Sequence, residues 1–340
     1  MKKSVIAVLV LSLFMAGTVW AGGSKETVKT GSGTKPLRVG MLLPGPINDG
    51  GWNASAYAGL EDIRAKYPNA DISYQESVPP SNFEEVFRSY ASAGYDLVFG
   101  HGFQFGDAAI KVAREFPNVK FCLTSTDIFA PPNVSSVRND TGEMGYLMGI
   151  IAALMTKTNT VGVVGGADIP PIADPVLAFE LAAKSVKPGI RVYSALTGSS
   201  EDVPKAKEVA LSMIEQGADI VFGNANQSSM GVFDACKEKG VWALAPISDQ
   251  HEYAPDTILT SGICNVPKAI SAVADLVVAG KLEAKYYQMG AAEDAVWVAP
   301  YYKFESQVPQ AVKDAVNKAL ADMKSGSLNV TALLAKNRSK

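Results

Sequence analysis

The chain is 340 residues long, 47% apolar and 19% charged, with a formal net charge of −3. That mild acidity argues against nucleic acid and anionic membrane surfaces as partners, and the length allows a large core, more naturally in two lobes than one. Three cysteines, Cys122, Cys236 and Cys264, show no CxxC or Cys/His spacing. They suggest neither a disulfide framework nor a metal site and read as small buried hydrophobes with at most one bridge.

In chain order, Lys2 and Lys3 precede an apolar run from Val5 to Val19, and the segment closes on Val19-Trp20-Ala21. This reads as a signal peptide, residues 1–21, cleaved after Ala21 and too short for a comfortable membrane span. The first cysteine is Cys122, so no lipobox cysteine stands at the cleavage point and the expectation is a soluble, exported, periplasmic product. Without residues 1–21 the balance becomes 29 Lys and Arg against 34 Asp and Glu, about −5. Residues 22–36, GGSKETVKTGSGTKP, are a flexible leader.

From there, short apolar runs alternate with helical patterns. RVGMLLP leads to a helix ending at Tyr67, DISYQESV to a helix over 82–93, and DLVFGHG to a helix ending at Phe116; KFCLTSTD and NVSSV follow. Thr141 is expected to cap a helix running to about Met155. A second series then runs TVGVVGG, helix 176–186, IRVYSAL, helix 205–216, DIVFGNA, helix 231–239 and VWALAPIS. Apolar runs of this length between helices are buried parallel strands, and the alternation implies right-handed βαβ units. The fold class is therefore α/β, two doubly wound parallel-sheet lobes of like topology. ILTSGIC, a helix over 267–279 and VWVAP look like crossovers between the lobes, before a closing amphipathic helix over 310–323. The expected boundaries are 37–139 plus 265–283 for an N-terminal lobe and 140–264 plus 284–335 for a C-terminal lobe.

Ligands of open parallel sheets bind outside the carboxyl ends of the strands, so those ends carry the candidate site. The first strand runs into GPINDGGWNASAYAGL. One reading makes Asp49 a helix cap and Trp52 a core residue, since Trp52, Ala56, Leu60, Ile63 and Tyr67 recur at helical spacing. The other lets a ligand approach over Gly50 and Gly51, with Asp49 accepting hydrogen bonds, Trp52 or Tyr57 stacking, and Asn53 both donating and accepting. GHGFQFGDA resembles a dinucleotide fingerprint, but its spacing departs and Phe103 and Phe105 occupy the turn; an aromatic facing the cleft suits it better. Asp127 ends STD, Asn224, Asn226 and Gln227 follow DIVFGNA, and Asp249 and Gln250 follow WALAPIS. Singly each reads as a turn residue; together they compose a site for a flat, polar, uncharged small molecule.

Catalysis lacks support: there are two histidines, His101 and His251, and no GxSxG elbow or HExxH. No catalytic residue, cofactor or metal is expected. INDGGWNASAYAGL, GHGFQFGDA, FCLTSTD, GYLMGIIAALMTKTNTVGVVGGADIP, QGADIVFGNANQSSMGVFDACKEKGVWAL and SDQ followed by LTS occur in an order that resembles the basic membrane protein family. That family of type I periplasmic binding proteins includes purine nucleoside receptors of ABC importers. The resemblance covers nearly all of 37–325 and implies a multi-crossing hinge, closure around a purine nucleoside or related heterocycle, and a membrane permease as partner, with a monomer as the working state. Carried over by position, it implicates Asp49, Trp52, Asn53, Tyr57, Phe103, Asp127, Asn224 and Asp249. Where many members carry an Asp two residues before the SDQ aspartate and a Lys three residues after the LTS serine, this chain has Ile247 and Cys264. The expectation is a reader of the base more than of the sugar. A sugar, flavin or signal-molecule receptor on the same fold, a regulatory sensor and an exported NAD-dependent oxidoreductase are the alternatives.

Overall fold

The computed structural model describes residues 36–48 and 52–338. The expected signal peptide and Asp49 lie outside the described residues, as does all of the leader except Pro36. The first series is β1 (Arg38–Leu42), α1 (Trp52–Lys66), β2 (Asp71–Gln75), α2 (Phe83–Ser92), β3 (Leu97–Gly100), α3 (Gly106–Ala113), β4 (Lys120–Thr124) and β5 (Val134–Asn139). The second is α4 (Thr141–Met155), β6 (Thr160–Gly165), α5 (Pro170–Val186), β7 (Arg191–Leu196), α6 (Val203–Glu215), β8 (Ile220–Asn224), α7 (Ser229–Lys239), β9 (Trp242–Ala245) and β10 (Ile258–Cys264). The chain closes with α8 (Val266–Val278), β11 (Tyr286–Met289), β12 (Val296–Val298), α9 (Gln310–Ser325) and α10 (Val330–Arg338).

Two six-stranded sheets result, ordered β2-β1-β3-β4-β5-β11 and β7-β6-β8-β9-β10-β12. The orders match strand for strand; the lobes differ at the last strand, where β11 runs parallel to β5 and β12 antiparallel to β10. Helices cover both faces of each sheet, which is why the inner strands are apolar throughout rather than alternating. In the first lobe, Leu60 and Ile63 of α1 meet Ile270 of α8 on one face, and Phe87 and Phe105 meet Phe121 on the other. In the second, α4 and α5 pack on one face and Ala206, Ala210, Val232 and Phe233 on the other.

Three details differ from expectation. β11 pairs with β5, so residues 286–289 belong to the first sheet although they lie past the expected boundary at 283. Asp140, not Thr141, caps α4, accepting the Glu143 N–H at 3.0 Å. Helix α5 starts at Pro170 rather than 176, because Pro170 and Pro171 fall in the first turn, where backbone N–H groups have no intrahelical partner to lose. All three cysteines are buried and free.

Helix α4 is apolar all round, with 13 of its 15 residues buried, so it must pack on every side. Two glycines let α5 approach it backbone to backbone: a Cβ at Gly145 would lie 2.3 Å from the Pro175 carbonyl oxygen, and one at Gly149 2.4 Å from that of Phe179. Among the described residues no helix is long and apolar enough to cross a membrane.

Candidate functional site

Strand order locates the site before any side chain is considered. In each sheet the connections reverse direction beside the first strand, between β1 and β3 and between β6 and β8, and a crevice opens at such a switch point. Non-glycine residues in the left-handed region follow the carboxyl ends closely: Ser77 after β2, Ser125 after β4, Asn226 after β8 and Ile247 after β9. Ile247 (φ 69°) stands out, because a β-branched side chain tolerates this region least.

At the first switch point Trp52, half-buried, opens α1 and meets His101, which directly follows β3. The ring centroids are 3.9 Å apart with a 32° tilt. The indole N–H donates to Ser125 Oγ at 3.3 Å. His101 is fully buried; its Nε2 lies 3.2 Å from the Trp52 carbonyl oxygen and its Nδ1 2.7 Å from Thr124 Oγ1. Asn53 is buried beside Gly45, where a Cβ would come within 2.8 Å of its amide nitrogen. Phe103, 56% exposed, projects from the loop after β3, and Asp127 and Phe129 are exposed after β4. Tyr57 lies elsewhere: its ring meets Tyr74 of edge strand β2 edge-on at 5.2 Å.

The second lobe uses its polar groups differently. Asn224 is buried, and its amide donates to the Ile172 carbonyl at 3.1 Å, tying β8 to the first turn of α5. Asp249 is exposed and accepts the His251 N–H at 3.1 Å and the Tyr302 hydroxyl, while the His251 ring stacks on Tyr302 at 3.9 Å. Asn226 is exposed. Ile247 joins an apolar patch: its N–H points at Met144 Sδ, 3.3 Å away, and its carbonyl accepts the Cys264 N–H at 2.8 Å.

Thus Trp52, Asn53, Phe103 and Asp127 gather at strand ends of the first lobe and Asn224 and Asn226 at one of the second. Asp249 is engaged with Tyr302, and Tyr57 with β2. Sequence reasoning missed Thr124, Ser125 and the role of His101 beside Trp52; the signal available was a histidine and two hydroxyls at neighbouring strand ends.

Between the sheets the chain passes three times among the described residues, after β5, β10 and β11. These passages are bonded to one another. Asp140 N–H donates to Met289 at 2.8 Å, Asn139 Nδ2 to the Asn265 carbonyl at 3.1 Å, Asn265 N–H to Ala295 at 2.8 Å, and Ala291 N–H to Glu143 Oε2 at 2.6 Å. Burial, with the charges of Asp140 and Glu293 nearby, pushes the Glu143 carboxyl up to about 7, against the Ala291 bond that favours its anion. No group of three or more His, Cys, Asp or Glu among the described residues could hold a metal ion.

The sequence profile described as "ABC transporter substrate-binding protein PnrA-like" matches residues 37–329. A Bacillus subtilis protein named transcriptional activator protein med is 31% identical over 268 residues, 76% of this chain and 83% of that one. A purine-binding protein of Brucella abortus is 30% identical over 295 residues, 86% of this chain and 82% of that one. An ABC transporter nucleoside-binding protein of Lactococcus lactis is 29% identical over 304 residues, 83% of this chain and 86% of that one. Among solved structures, a Bacillus halodurans transcriptional activator superposes with a TM-score of 0.77 at 25% identity, covering 86% of this chain and 99% of that one. An ABC transporter solute-binding protein of Conexibacter woesei gives 0.72 at 24%, covering 86% and 98%.

Proposed function

The chain belongs to the family of PnrA-like substrate-binding proteins of ABC transporters, and from that premise we propose that it captures a purine nucleobase between its lobes and presents it to a membrane permease. A planar heterocycle stacks on Trp52 with Phe103 as a second ring, and Asn53, Asp127 and Asn226 meet its polar edge. Asp49 precedes Trp52 by three residues in the sequence. Stacking contributes roughly 1–3 kcal/mol per base and each hydrogen bond to a carboxylate about 1.5–3, enough for micromolar binding after ordering costs. Contact with both lobes stabilises the closed form by differential affinity, and the three bonded passages serve as the hinge. The protein is read as exported, on the strength of residues 1–21.

The observation that carries the preference for a base is Ile247, half-buried just after β9 and packed on a core that includes the buried Met144 and Cys264. A ribose set against it would leave its hydroxyls without partners, a cost that a bare base avoids. Titration calorimetry with hypoxanthine, adenine, inosine and adenosine tests this. Tighter binding of the bases is expected; tighter binding of the nucleosides would overturn it. Mass spectrometry of whatever molecule leaves the purified protein on denaturation tests the ligand class without a prior choice of probe.

A regulatory reading is favoured by one observation, the relative at 31% identity named as a transcriptional activator. In that case purine binding would alter expression of target genes, and uptake of labelled purine would be unchanged in a deletion strain. The transport reading expects reduced uptake.

A further inference from the structure

His101 sits in an unusual place for a histidine, fully buried immediately after a central strand. Both ring nitrogens are nevertheless engaged, and the partners fix which one carries the proton. The Trp52 carbonyl oxygen can only accept, so Nε2 is the donor. With the ring neutral, the lone pair is at Nδ1, where the Thr124 hydroxyl, 2.7 Å away, is placed to donate to it. With bonds at two corners the imidazole plane is fixed, and the Trp52 indole lies against that plane.

Thr124 and Ser125 hold the two rings from one side. Consecutive residues of an extended strand send their side chains to opposite faces, so both hydroxyls would not ordinarily reach one aromatic pair. Ser125 leaves the extended region for φ 57°, which breaks the alternation and brings its Oγ to the indole N–H while Thr124 serves the imidazole. The left-handed region is sparsely populated by non-glycine residues, and here it accompanies the placement of Trp52.

We propose that His101 is a positioning residue for ligand capture: its imidazole covers one face of Trp52 and leaves the opposite face as the surface on which a planar ligand stacks. This rests on the reading of Trp52 as the platform for a purine base. A ligand therefore meets a single-sided platform whose ring cannot rotate to follow it. His101, Thr124 and Ser125 act on the ligand only through Trp52.

The test uses the full chain with Trp20, Trp242 and Trp297 replaced by Phe, so that Trp52 is the only indole, and reads its fluorescence with and without hypoxanthine. In the free protein, His101→Ala is expected to red-shift the emission and raise acrylamide quenching about 2-fold, with Thr124→Val moving both in the same direction by less. Calorimetry with hypoxanthine is expected to show binding about 10-fold weaker in His101→Ala and about 5-fold weaker in Thr124→Val. Thr124→Val preserves shape and keeps the question answerable if His101→Ala does not fold. Unchanged emission and quenching in the folded variants would overturn the positioning role whatever the ligand is. Weaker binding in Trp52→Ala but not in the folded His101 and Thr124 variants would overturn it too, leaving the platform standing. Altered fluorescence in the His101 and Thr124 variants together with unchanged hypoxanthine binding in a separate Trp52→Ala variant would overturn the platform reading, and the inference with it.

Discussion

The two lobes share one strand order yet treat their strand ends in opposite ways. The first presents rings to the outside, Trp52 backed by His101 and Phe103 standing clear, whereas the second turns Asn224 and Asp249 onto its own α5 and Tyr302. Helix packing repeats the contrast. In the first lobe a Cβ at Gly59 of α1 would meet the side chain of Ile270 at 2.9 Å, while in the second α4 meets α5 at bare backbone. Equal topology thus leaves room for unequal contributions: in the proposed site the first lobe supplies the rings, and the second supplies the exposed Asn226 and the half-buried Ile247.

The sharpest way to break that contrast is through the helices. Gly149→Ala should cost about 3 kcal/mol, since the added methyl meets helix backbone, and Gly59→Ala about 1.5 kcal/mol, since its nearest neighbour is the Ile270 Cβ, which no rotamer moves but a small shift of α8 relieves. Urea unfolding of the two variants gives the comparison, and equal losses would contradict it. At the rims, Trp52→Ala should weaken purine binding about 10-fold or more while the chain stays folded. Unchanged affinity would return Trp52 to a core role. Asn224→Ala should instead lower stability by about 1–2 kcal/mol by removing the bond to the half-buried Ile172 carbonyl from a buried position; a variant of parental stability would show that the amide is not structural.

The passages between lobes add a pH term. Glu143 has its proton held to a higher pH in the folded chain, about 7, than its ordinary 4.5. Its contribution to folding is therefore complete below about pH 4.5 and is lost as pH rises through 7. Glu143→Gln, always neutral and still able to accept the Ala291 N–H, should gain about 2 °C in Tm over the parent on going from pH 5 to pH 8. A constant difference across that range would rule this out. The smallest effect belongs to Tyr302→Phe, which removes the exposed partner of Asp249: stability should stay within about 0.5 kcal/mol and ligand affinity within about 2-fold. A larger loss of affinity would draw Asp249 into the site.

How far the sequence carried is explained by where each signal resides. The inner strands announce themselves because burial on both faces demands unbroken apolar runs such as LVFG and IVFGN. β11, Tyr-Tyr-Gln-Met at a sheet edge, is half-exposed and makes no such demand, so it passed unnoticed and moved a lobe boundary. The strand-end motifs placed Trp52 and Asn53 where the structure has them, since position after a strand is a property of chain order. What a polar side chain touches is not: the partner of Asn224 is Ile172 and that of Asp249 is Tyr302, each about fifty residues away along the chain. Tyr57 meets Tyr74 for a local reason, because five residues beyond Trp52 the helix has turned it toward β2.

The pairing of β11 with β5 sets an order on assembly. The second lobe can begin from neighbours in sequence, α4 against α5, with little chain to close. The first cannot complete its sheet until residues 286–289 arrive, and until then β5 is an unpaired edge able to recruit another chain. For a chain that emerges amino end first, the first sheet waits for β11 and the second for β12 only a few residues later, so β5 stays an open edge from the appearance of residue 139 to that of residue 289.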